Sequence, residues 1–457
     1  MNEYTNEFNK IFYYLKETLK NYNNKILTNN NVANPFSNDA YKKIITKLSN
    51  IQSDQEYLEI INDFIISIHQ GHVFLSSNIN KIDKIIPLCI QYKDDKYYVV
   101  KATNQELEGK EIIGIDNIKM DEYILKLKGS YSFENNKFFI KNLILPSQNA
   151  KNISFNNREI TIESVKSEDF YNEIFKRDNP YNNNNNIMFD IVNGIPYLRI
   201  NSFSNEMLHF KENYNFFDKK ITDPIEYLKE IANFLNSNNA SDLIIDIRGN
   251  QGGSDEWFEL LSMFSNKDYK YTYSVESTIG NLSNGETNEI MNSQGEDINA
   301  ALKRLQNNAD KLNCSISIGN GNSTIKNRYL FINSANYSTS DTLAKFSNKT
   351  GFATTIGNHT SGDGFGITPY SFTSNILKRN NAKIVIPSTF YKLEEFQTEP
   401  NIKIKDDLLM PYEYGTYKDN ELILAAKIIE AIKIKQLQSD ISNVFVDYQS
   451  SSHKPKR

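Results

Sequence analysis

Strands and helices alternate along the second half of the chain, and this order constrains its fold more than any other feature. Short apolar strands are expected at 195–200, 243–247, 329–332 and 353–356. Helical stretches are expected between them, near 225–235, 257–264 and 339–346. Because strands in alternation with helices are joined by crossovers, the pattern predicts an α/β layer with buried parallel strands.

Two other patterns precede this layer. From Glu3 to about Ile68 the apolar residues recur at helical spacing, which predicts a small helical unit at 1–75. Short strands between Lys84 and about Ser164 predict a compact, mostly β module at 76–180. The asparagine run at 182–186 has no apolar content and marks a linker or loop.

The α/β layer is predicted to extend over 187–440 and to close with an amphipathic helix at 421–437. A polar, partly helical stretch near 277–324 interrupts it and is interpreted as an insertion, and 441–457 as a C-terminal tail. The 457 residues exceed the size at which a single hydrophobic core stops growing, so several packed units are expected.

Composition excludes several classes of function. The net charge is −5 and no cluster of Lys or Arg forms a basic face, which argues against a nucleic-acid partner. Cys89 and Cys314 stand alone, without the spacing of a metal site or a disulfide framework. No run of eighteen apolar residues is present and the N-terminus is too polar for a signal peptide, which predicts a soluble, cytoplasmic chain without a membrane span. A signal peptide already removed from a longer precursor would fit equally well.

A glycine-rich turn follows the most apolar of these strands. The sequence runs from Leu243 through Asp246 and Arg248 into Gly249-Asn250-Gln251-Gly252-Gly253. Glycines let backbone N–H groups approach a ligand closely, but a strand that ends in glycines also simply turns. A phosphate-binding loop is disfavoured because no Gly-Lys-Ser/Thr follows.

A serine-rich element follows the strand at 329–332. Ser338 precedes an apolar helical run, so its hydroxyl is expected beside a helix N-terminus, where backbone N–H groups and the helix dipole favour an oxyanion. The run Ser338-Thr339-Ser340-Asp341 also resembles a capping box with Asp in place of Glu or Gln. Taken alone, this element is interpreted either as a nucleophile or as a helix cap.

Taken together and in order, these elements resemble the tail-specific (C-terminal processing) protease family. That family carries Asp-Leu-Arg-x-Asn-x-Gly-Gly, then Ser-Ala-Ser-Ala-Ser-Glu, then Gly-Glu-x-Thr-x-Gly. The corresponding segments here are 246–253, 336–341 and 357–362. The resemblance implies that Ser338, at the middle serine of the second motif, is the nucleophile.

The resemblance extends over most of the chain, from about Ile61 to Ile432. Gln70-Gly71-His72-Val73 is similar to the family's Asp-Gly-His-Thr element, and 399–404 stands where members have a Pro-Asp-Ile segment. The β module is similar to the region in which many members carry a PDZ or PDZ-like domain. The implied fold is α/β, a ClpP/crotonase-like protease core with an N-terminal helical unit and a PDZ-like β module.

The base differs from that of the bacterial processing branch. There a lysine follows the Thr-x-Gly, whereas Asp363 occupies that position here, and a carboxylate cannot replace a lysine as base. The tricorn-like branch instead uses a histidine of the Gly-His element, which falls on His72, although Gly71 stands where that branch has serine. The branch also has a glutamate near its C-terminal end, for which Glu394 is preferred over Glu395 by spacing.

Chemistry supports a histidine, because a serine hydroxyl is a weak nucleophile until a base accepts its proton, and a histidine of pKa about 6.5 does so at neutral pH. Without the resemblance, a single histidine at the end of a helical segment such as His72 is more often a capping or packing residue. His69 lies three residues before His72, but no third ligand with metal-site spacing accompanies the pair, so no metal is expected.

The resemblance therefore implies a serine endopeptidase that acts through an acyl-enzyme. Ser338 attacks, His72 transfers the proton, Glu394 orients His72, and the N–H groups of Gly252 or Gly253 and of Thr339 hold the oxyanion. No cofactor is implied, the partner is a peptide or protein substrate, and a homo-oligomer is left open. Two alternatives stay open: a non-catalytic peptide- or ligand-binding protein on the same fold, and an esterase-like hydrolase.

Overall fold

The elements of the fold are taken from a computed structural model, which describes residues 2–19, 34–68, 73–76, 84–93, 96–126, 133–134, 137–138, 143–147, 149–166, 169–170, 173, 186–203, 216–217, 221, 223–277, 312–333, 336–360, 362, 371–374, 377, 382–387, 389–391, 397–404 and 420–433. Its α-helices are α1 (Glu3–Thr18), α2 (Asn38–Leu48), α3 (Asp54–Ile66), α4 (Met120–Lys126), α5 (Pro224–Ser237), α6 (Glu256–Leu261), α7 (Thr339–Thr350) and α8 (Asn420–Lys433). Short 3₁₀ helices lie at Gln105–Leu107 and Ser262–Phe264.

The strands are numbered in chain order: β1 (Phe74–Ser76), β2 (Lys84–Lys93), β3 (Lys96–Ala102), β4 (Glu111–Ile115), β5 (Ile118–Lys119), β6 (Phe133–Glu134), β7 (Lys137–Phe138), β8 (Leu143–Pro146), β9 (Lys151–Phe155), β10 (Arg158–Ile162), β11 (Val165–Lys166), β12 (Ile187–Val192), β13 (Ile195–Ile200), β14 (Asp242–Asp246), β15 (Tyr269–Ser277), β16 (Leu312–Ile318), β17 (Asn327–Ile332), β18 (Thr354–Gly357), β19 (Ser371–Ser374), β20 (Lys383–Pro387), β21 (Thr389–Tyr391) and β22 (Ile402–Lys403).

The chain divides into two compact units, each built from three stretches of sequence. Unit 1 comprises 1–172, 272–315 and 365–394, and unit 2 comprises 173–271, 316–364 and 395–457. Of the predicted linker at 182–186, residues 182–185 lie outside the described residues and Asn186 is buried; the predicted C-terminal tail at 441–457 also lies outside them.

Helices α1 to α3 open unit 1, as their periodicity predicts. The side chains of Asn2, Ser37 and Ser53 cap them by accepting hydrogen bonds from backbone N–H groups of the first turns. Their apolar faces share one core with buried residues from much later in the chain, including Ile384 and Ile386 of β20. Strand β20 lies between β1 and β19, so residues after 370 complete a sheet beside the N-terminal helices.

The second sheet of unit 1 confirms the strands predicted between Lys84 and Ser164. Its order is β10-β9-β4-β3-β2-β11, with β5 paired to β4 and β8 to β2, and every pairing is antiparallel. One face of this sheet packs over a core of buried residues that includes Ile86, Val99 and Ile153.

The sheet of unit 2 is the predicted α/β layer. Its order is β12-β13-β14-β17-β18-β22, parallel throughout except for the β12–β13 hairpin. Every residue of β14 is buried, as expected for a parallel strand covered on both faces. Helix α8 packs on this sheet through Leu422, Ala425 and Ile429. Since parallel strands end at the same edge, the turns after β14 and β17 lie side by side.

The predicted insertion at 277–324 differs from its expected structure at its C-terminal end. Residues 278–311 lie outside the described part of the chain. Residues 312–318, expected in a polar and partly helical stretch, instead form β16, which pairs with β15 in a sheet of order β16-β15-β21. The physical reason is an alternation typical of a strand with one buried face: Ile316 and Ile318 are buried, whereas Ser315 and Ser317 are exposed.

Candidate active site

Ser338 lies in a strained turn between β17 and α7. Its backbone has φ 57° and ψ −126°, a conformation that side-chain-bearing residues rarely adopt. It occupies the N-cap position of α7, but its hydroxyl makes no capping hydrogen bond. Such strain persists only where the surroundings hold it, and it is concentrated at functional sites. Ser338 is half-buried, and because its hydroxyl does not cap the helix, that hydroxyl is available for chemistry.

Neighbouring backbone groups hold this conformation from two sides. The Ser338 N–H donates to the Gly362 carbonyl at 3.2 Å, and the Ser338 carbonyl accepts from the Thr342 N–H at 2.9 Å. The Tyr337 N–H donates to the Asn250 carbonyl at 3.3 Å. The backbone around Ser338 is thus hydrogen-bonded both to the glycine turn after β14 and to the loop after β18.

The glycine turn contacts the serine directly. Gly252 has φ +96°, and a Cβ on it would lie 2.9 Å from the Ser338 Cβ, 2.8 Å from the Tyr337 carbonyl oxygen and 2.9 Å from the Thr339 nitrogen. The Gly252 N–H donates to Oδ1 of Asn250 at 2.8 Å. The glycine turn therefore approaches the serine turn too closely at Gly252 for any side chain, and the Gly252 N–H is already hydrogen-bonded to Asn250.

Two backbone N–H groups beside the serine have no partner within the described residues: those of Gly253 and Thr339. The two residues are neighbours, because the Thr339 hydroxyl donates to the Gly253 carbonyl at 2.7 Å. Thr339 is the first residue of α7, where the helix dipole favours negative charge. These groups can donate to an anion formed at the serine.

A buried ion cluster fixes the start of the glycine turn. Asp246, at the end of β14, is fully buried and contacts Arg248 at 2.7 Å, Arg199 at 3.1 Å and the Tyr197 hydroxyl at 2.6 Å. Burial opposes ionisation of Asp246, but the two guanidinium groups and the hydrogen bonds outweigh it and hold the pKa of this carboxyl well below its usual range. Asp246 and Arg248 therefore shape the turn rather than transfer protons.

Asp341 overturns the interpretation of 338–341 as a capping box. Its carboxylate is fully buried and accepts hydrogen bonds from the hydroxyls of Thr360 and Thr398, the latter at 2.6 Å, while Lys345 pairs with it at 2.7 Å. A capping box would instead place this side chain on the N–H of Ser338, which donates to Gly362.

Sequence reasoning did not single out Thr360 and Thr398. The sequence signal that points to them is an acidic residue at the third position of α7, together with a threonine in the loop after β18 and another in the segment before β22.

Unit 2 brings together four of the predicted site residues, Ser338, Gly252, Gly253 and Thr339. His72 and Glu394, as well as His69, Gly71, Asp363 and Glu395, lie outside the described residues. His359, in the loop after β18, is buried, with Nδ1 3.0 Å from the Thr360 carbonyl oxygen.

Other kinds of site find no support in the described part of the chain. No group of three His, Cys, Asp or Glu side chains there is arranged to hold a metal ion. None of the described helices combines the length and apolar character needed to cross a membrane.

Comparison with known proteins identifies the family. Residues 194–404 match the family model of Peptidase family S41. This segment is an S41 peptidase domain. The match confirms the resemblance to tail-specific proteases that the three motifs predict, and it makes the protein a hydrolase of the serine-peptidase class. No curated protein matches the sequence directly.

Solved structures confirm the fold. A crystal structure of a CPAF mutant matches with a TM-score of 0.62 at 14% identity, covering 97% of this chain and 98% of that one. Mature CPAF complexed with lactacystin matches with a TM-score of 0.60 at 15% identity, covering 96% and 98%. At such identities the likeness establishes the S41 peptidase fold, with its ClpP-like α/β core, and nothing finer.

Proposed function

We propose that this S41 peptidase hydrolyses peptide bonds through an acyl-enzyme at Ser338. The observation that carries the proposal is the strained Ser338, packed against Gly252 and followed by Thr339, which contacts Gly253; the N–H groups of Gly253 and Thr339 have no partner among the described residues. Acyl transfer requires a serine hydroxyl that does not cap its helix and nearby N–H donors that no other described residue occupies.

The oxyanion site is proposed at the N–H groups of Gly253 and Thr339. Gly252 is the less suitable donor because its N–H is bound to Oδ1 of Asn250. As the Ser338 oxygen attacks the substrate carbonyl, negative charge moves to the carbonyl oxygen, and the two N–H groups stabilise it. Loss of one such donor raises the barrier by about 3 kcal/mol.

The proposed base is His72, oriented by Glu394. His72 accepts the proton of the Ser338 hydroxyl during attack and donates it to the leaving amine as the peptide bond breaks. Water then attacks the acyl-enzyme while His72 accepts its proton; the bond between the acyl carbon and the Ser338 oxygen breaks, His72 returns the proton to that oxygen, and the acid product leaves. Support for His72 comes from the motif match and from Asp363, which stands where the processing branch has lysine.

Labelling with a fluorophosphonate probe tests the nucleophile. We expect one probe per wild-type chain by intact mass, and no labelling or peptide hydrolysis in folded Ser338→Ala. Labelling of that variant would refute the nucleophile. A wild-type protein that takes up neither probe nor peptide would favour the binding-protein alternative, and cleavage of small esters alone would favour the esterase. Lactacystin, which is complexed with mature CPAF in one matching structure, serves as a second probe.

The base is tested by substitution and pH together. We expect His72→Ala to lose acylation, whereas His359→Asn retains it, and the wild-type rate to rise between about pH 6 and 7.5 as a histidine becomes neutral. If acylation is lost in His359→Asn but retained in His72→Ala, the base is His359 rather than His72. A rate still rising above about pH 9 would indicate a lysine, whose ordinary pKa is about 10.4.

A further inference from the structure

A buried carboxylate joins three segments of unit 2 next to Ser338. Asp341 is the third residue of α7, the helix that follows Ser338. Its carboxylate accepts a hydrogen bond from the Thr360 hydroxyl, in the loop after β18, and one of 2.6 Å from the Thr398 hydroxyl, in the segment before β22. The two loops also bind each other, because the Thr398 N–H donates to the Thr360 hydroxyl oxygen at 2.9 Å and the Thr360 N–H donates to the Thr398 carbonyl at 3.1 Å.

The same loop reaches the nucleophile two residues later. The Gly362 carbonyl accepts the Ser338 N–H at 3.2 Å, and Gly362 pairs with Tyr337 in an isolated parallel β-bridge. Gly362 has φ +88°, a backbone conformation that favours glycine. The position of the Gly362 carbonyl therefore depends on where Thr360 is held.

Stability alone does not explain this arrangement. Asp341 is fully buried, which makes its negative charge costly, and the buried Lys345 offsets this cost by pairing with it at 2.7 Å. Buried ion pairs of this kind contribute little net stability compared with apolar residues of the same volume. What an apolar residue cannot supply is a fixed acceptor for two hydroxyls from different loops.

We propose that Asp341 is a positioning residue for catalysis. Through the Thr360 hydroxyl it fixes the loop at 357–362, so that the Gly362 carbonyl holds the Ser338 N–H and keeps the serine in its strained conformation. Lys345 neutralises the buried carboxylate, and hydrogen-bond acceptance rather than charge carries the effect. This inference rests on the proposed role of Ser338 as nucleophile.

Threonine variants separate positioning from simple stability. We expect Thr360→Val to lower the rate of probe labelling and kcat by about 10²-fold, the cost of misplacing a reacting group, with little change in KM. Thr360→Ser, which keeps the hydroxyl, should react like wild type. If Thr360→Val does not fold, Thr360→Ala removes the same hydroxyl without placing a methyl group against the carboxylate.

Thr355→Val is the matched control. Thr355 is also a buried threonine that joins β18 to the segment before β22, through hydrogen bonds of 2.8 Å and 3.0 Å with Asn401. Its hydroxyl also donates to Asn348 at the far end of α7 at 2.7 Å, and none of these hydrogen bonds involves Asp341 or Gly362. Thr355→Val should lower the midpoint of thermal unfolding as Thr360→Val does, while leaving the rate of probe labelling at Ser338 unchanged. Equal labelling rates in the two valine variants would overturn the proposal.

A double substitution tests the carboxylate itself. Asp341→Asn with Lys345→Met removes both charges but keeps a carbonyl oxygen able to accept the two threonine hydroxyls, so activity should stay within a few-fold of wild type. A folded double variant as slow as Thr360→Val would refute positioning by hydrogen-bond acceptance. Failure of the wild type to label at Ser338 would instead refute the proposed nucleophile, so the two failures are distinguishable.

Discussion

Replacing Gly252 with alanine tests the contact between the glycine turn and the nucleophile. The added Cβ would lie under 3.0 Å from three atoms, the Tyr337 carbonyl oxygen, the Ser338 Cβ and the Thr339 nitrogen. Two of these are backbone atoms, which no side-chain rotation can move. The overlap can therefore be relieved only by moving the serine turn away from the glycine turn.

The cost has two parts. A residue with a side chain at φ +96° is strained by about 1–3 kcal/mol. Crowding a packed site adds about 1–3 kcal/mol, for a total loss of unfolding free energy of about 2–6 kcal/mol. A shift of about 1 Å in Ser338 relative to the oxyanion donors is expected to slow acylation by about 10²-fold.

Gly351→Ala supplies the control. Gly351 ends the same helix at φ +72°, but a Cβ there meets nothing within 4 Å, so only the backbone strain of about 1–2 kcal/mol applies. Urea unfolding and the rate of fluorophosphonate labelling are measured for both variants. If Gly252→Ala labels as fast as Gly351→Ala, the close contact does not position the nucleophile and the reasoning fails.

Three further predictions follow from strain, charge and burial. Ser338→Gly should be about 1 kcal/mol more stable than Ser338→Ala in urea unfolding, because glycine relieves the backbone strain; equal stability would mean that Ser338 is unstrained. Asp246→Asn should lower the free energy of unfolding by about 3–5 kcal/mol at pH 7 by leaving Arg248 without its carboxylate. Because the folded-state pKa of Asp246 is depressed, this gap should narrow as pH falls below about 4, where the unfolded state binds a proton first; a gap independent of pH would contradict the depressed pKa. Burial raises the pKa of Cys89 to about 12, so in a Cys314→Ser background iodoacetamide should react at pH 8 only after unfolding, and rapid labelling of the folded protein would show that the thiol is accessible.

The fold was largely predictable because its elements carry local signals. The buried run at 242–246 has no polar residue between its two aspartates, and helices α5 and α7 show regular apolar spacing, so both types of element follow from the sequence. Long-range partners carry no such signal. Nothing in β20 indicates that Ile384 and Ile386 complete the core of helices more than 300 residues earlier.

The site was predictable in its backbone and not in its polar network. Glycines at 252 and 253 and a serine before a helix are visible as motifs, because close approach and helix N-termini require particular residue types. The partners of Asp341 depend on which loops the sheet brings together. Spacing alone could not reveal that Thr360 and Thr398 share one carboxylate oxygen.

Lys345, the nearer to Ser338 of the two lysines on helix α7, does not replace the lysine missing at Asp363. Lys345 follows Ser338 by seven residues, or about 10 Å along a helix, which is beyond the reach of proton transfer from the serine hydroxyl. Its Nζ is also buried and donates a hydrogen bond to the Asp341 carboxylate at 2.7 Å, so it is already engaged away from the serine. A Ser/Lys mechanism would thus need a lysine from elsewhere in the chain, and a lysine with its ordinary pKa of about 10.4 would keep the rate rising above about pH 9. A plateau near pH 7.5 that disappears in His72→Ala would exclude such a lysine and leave histidine as the base.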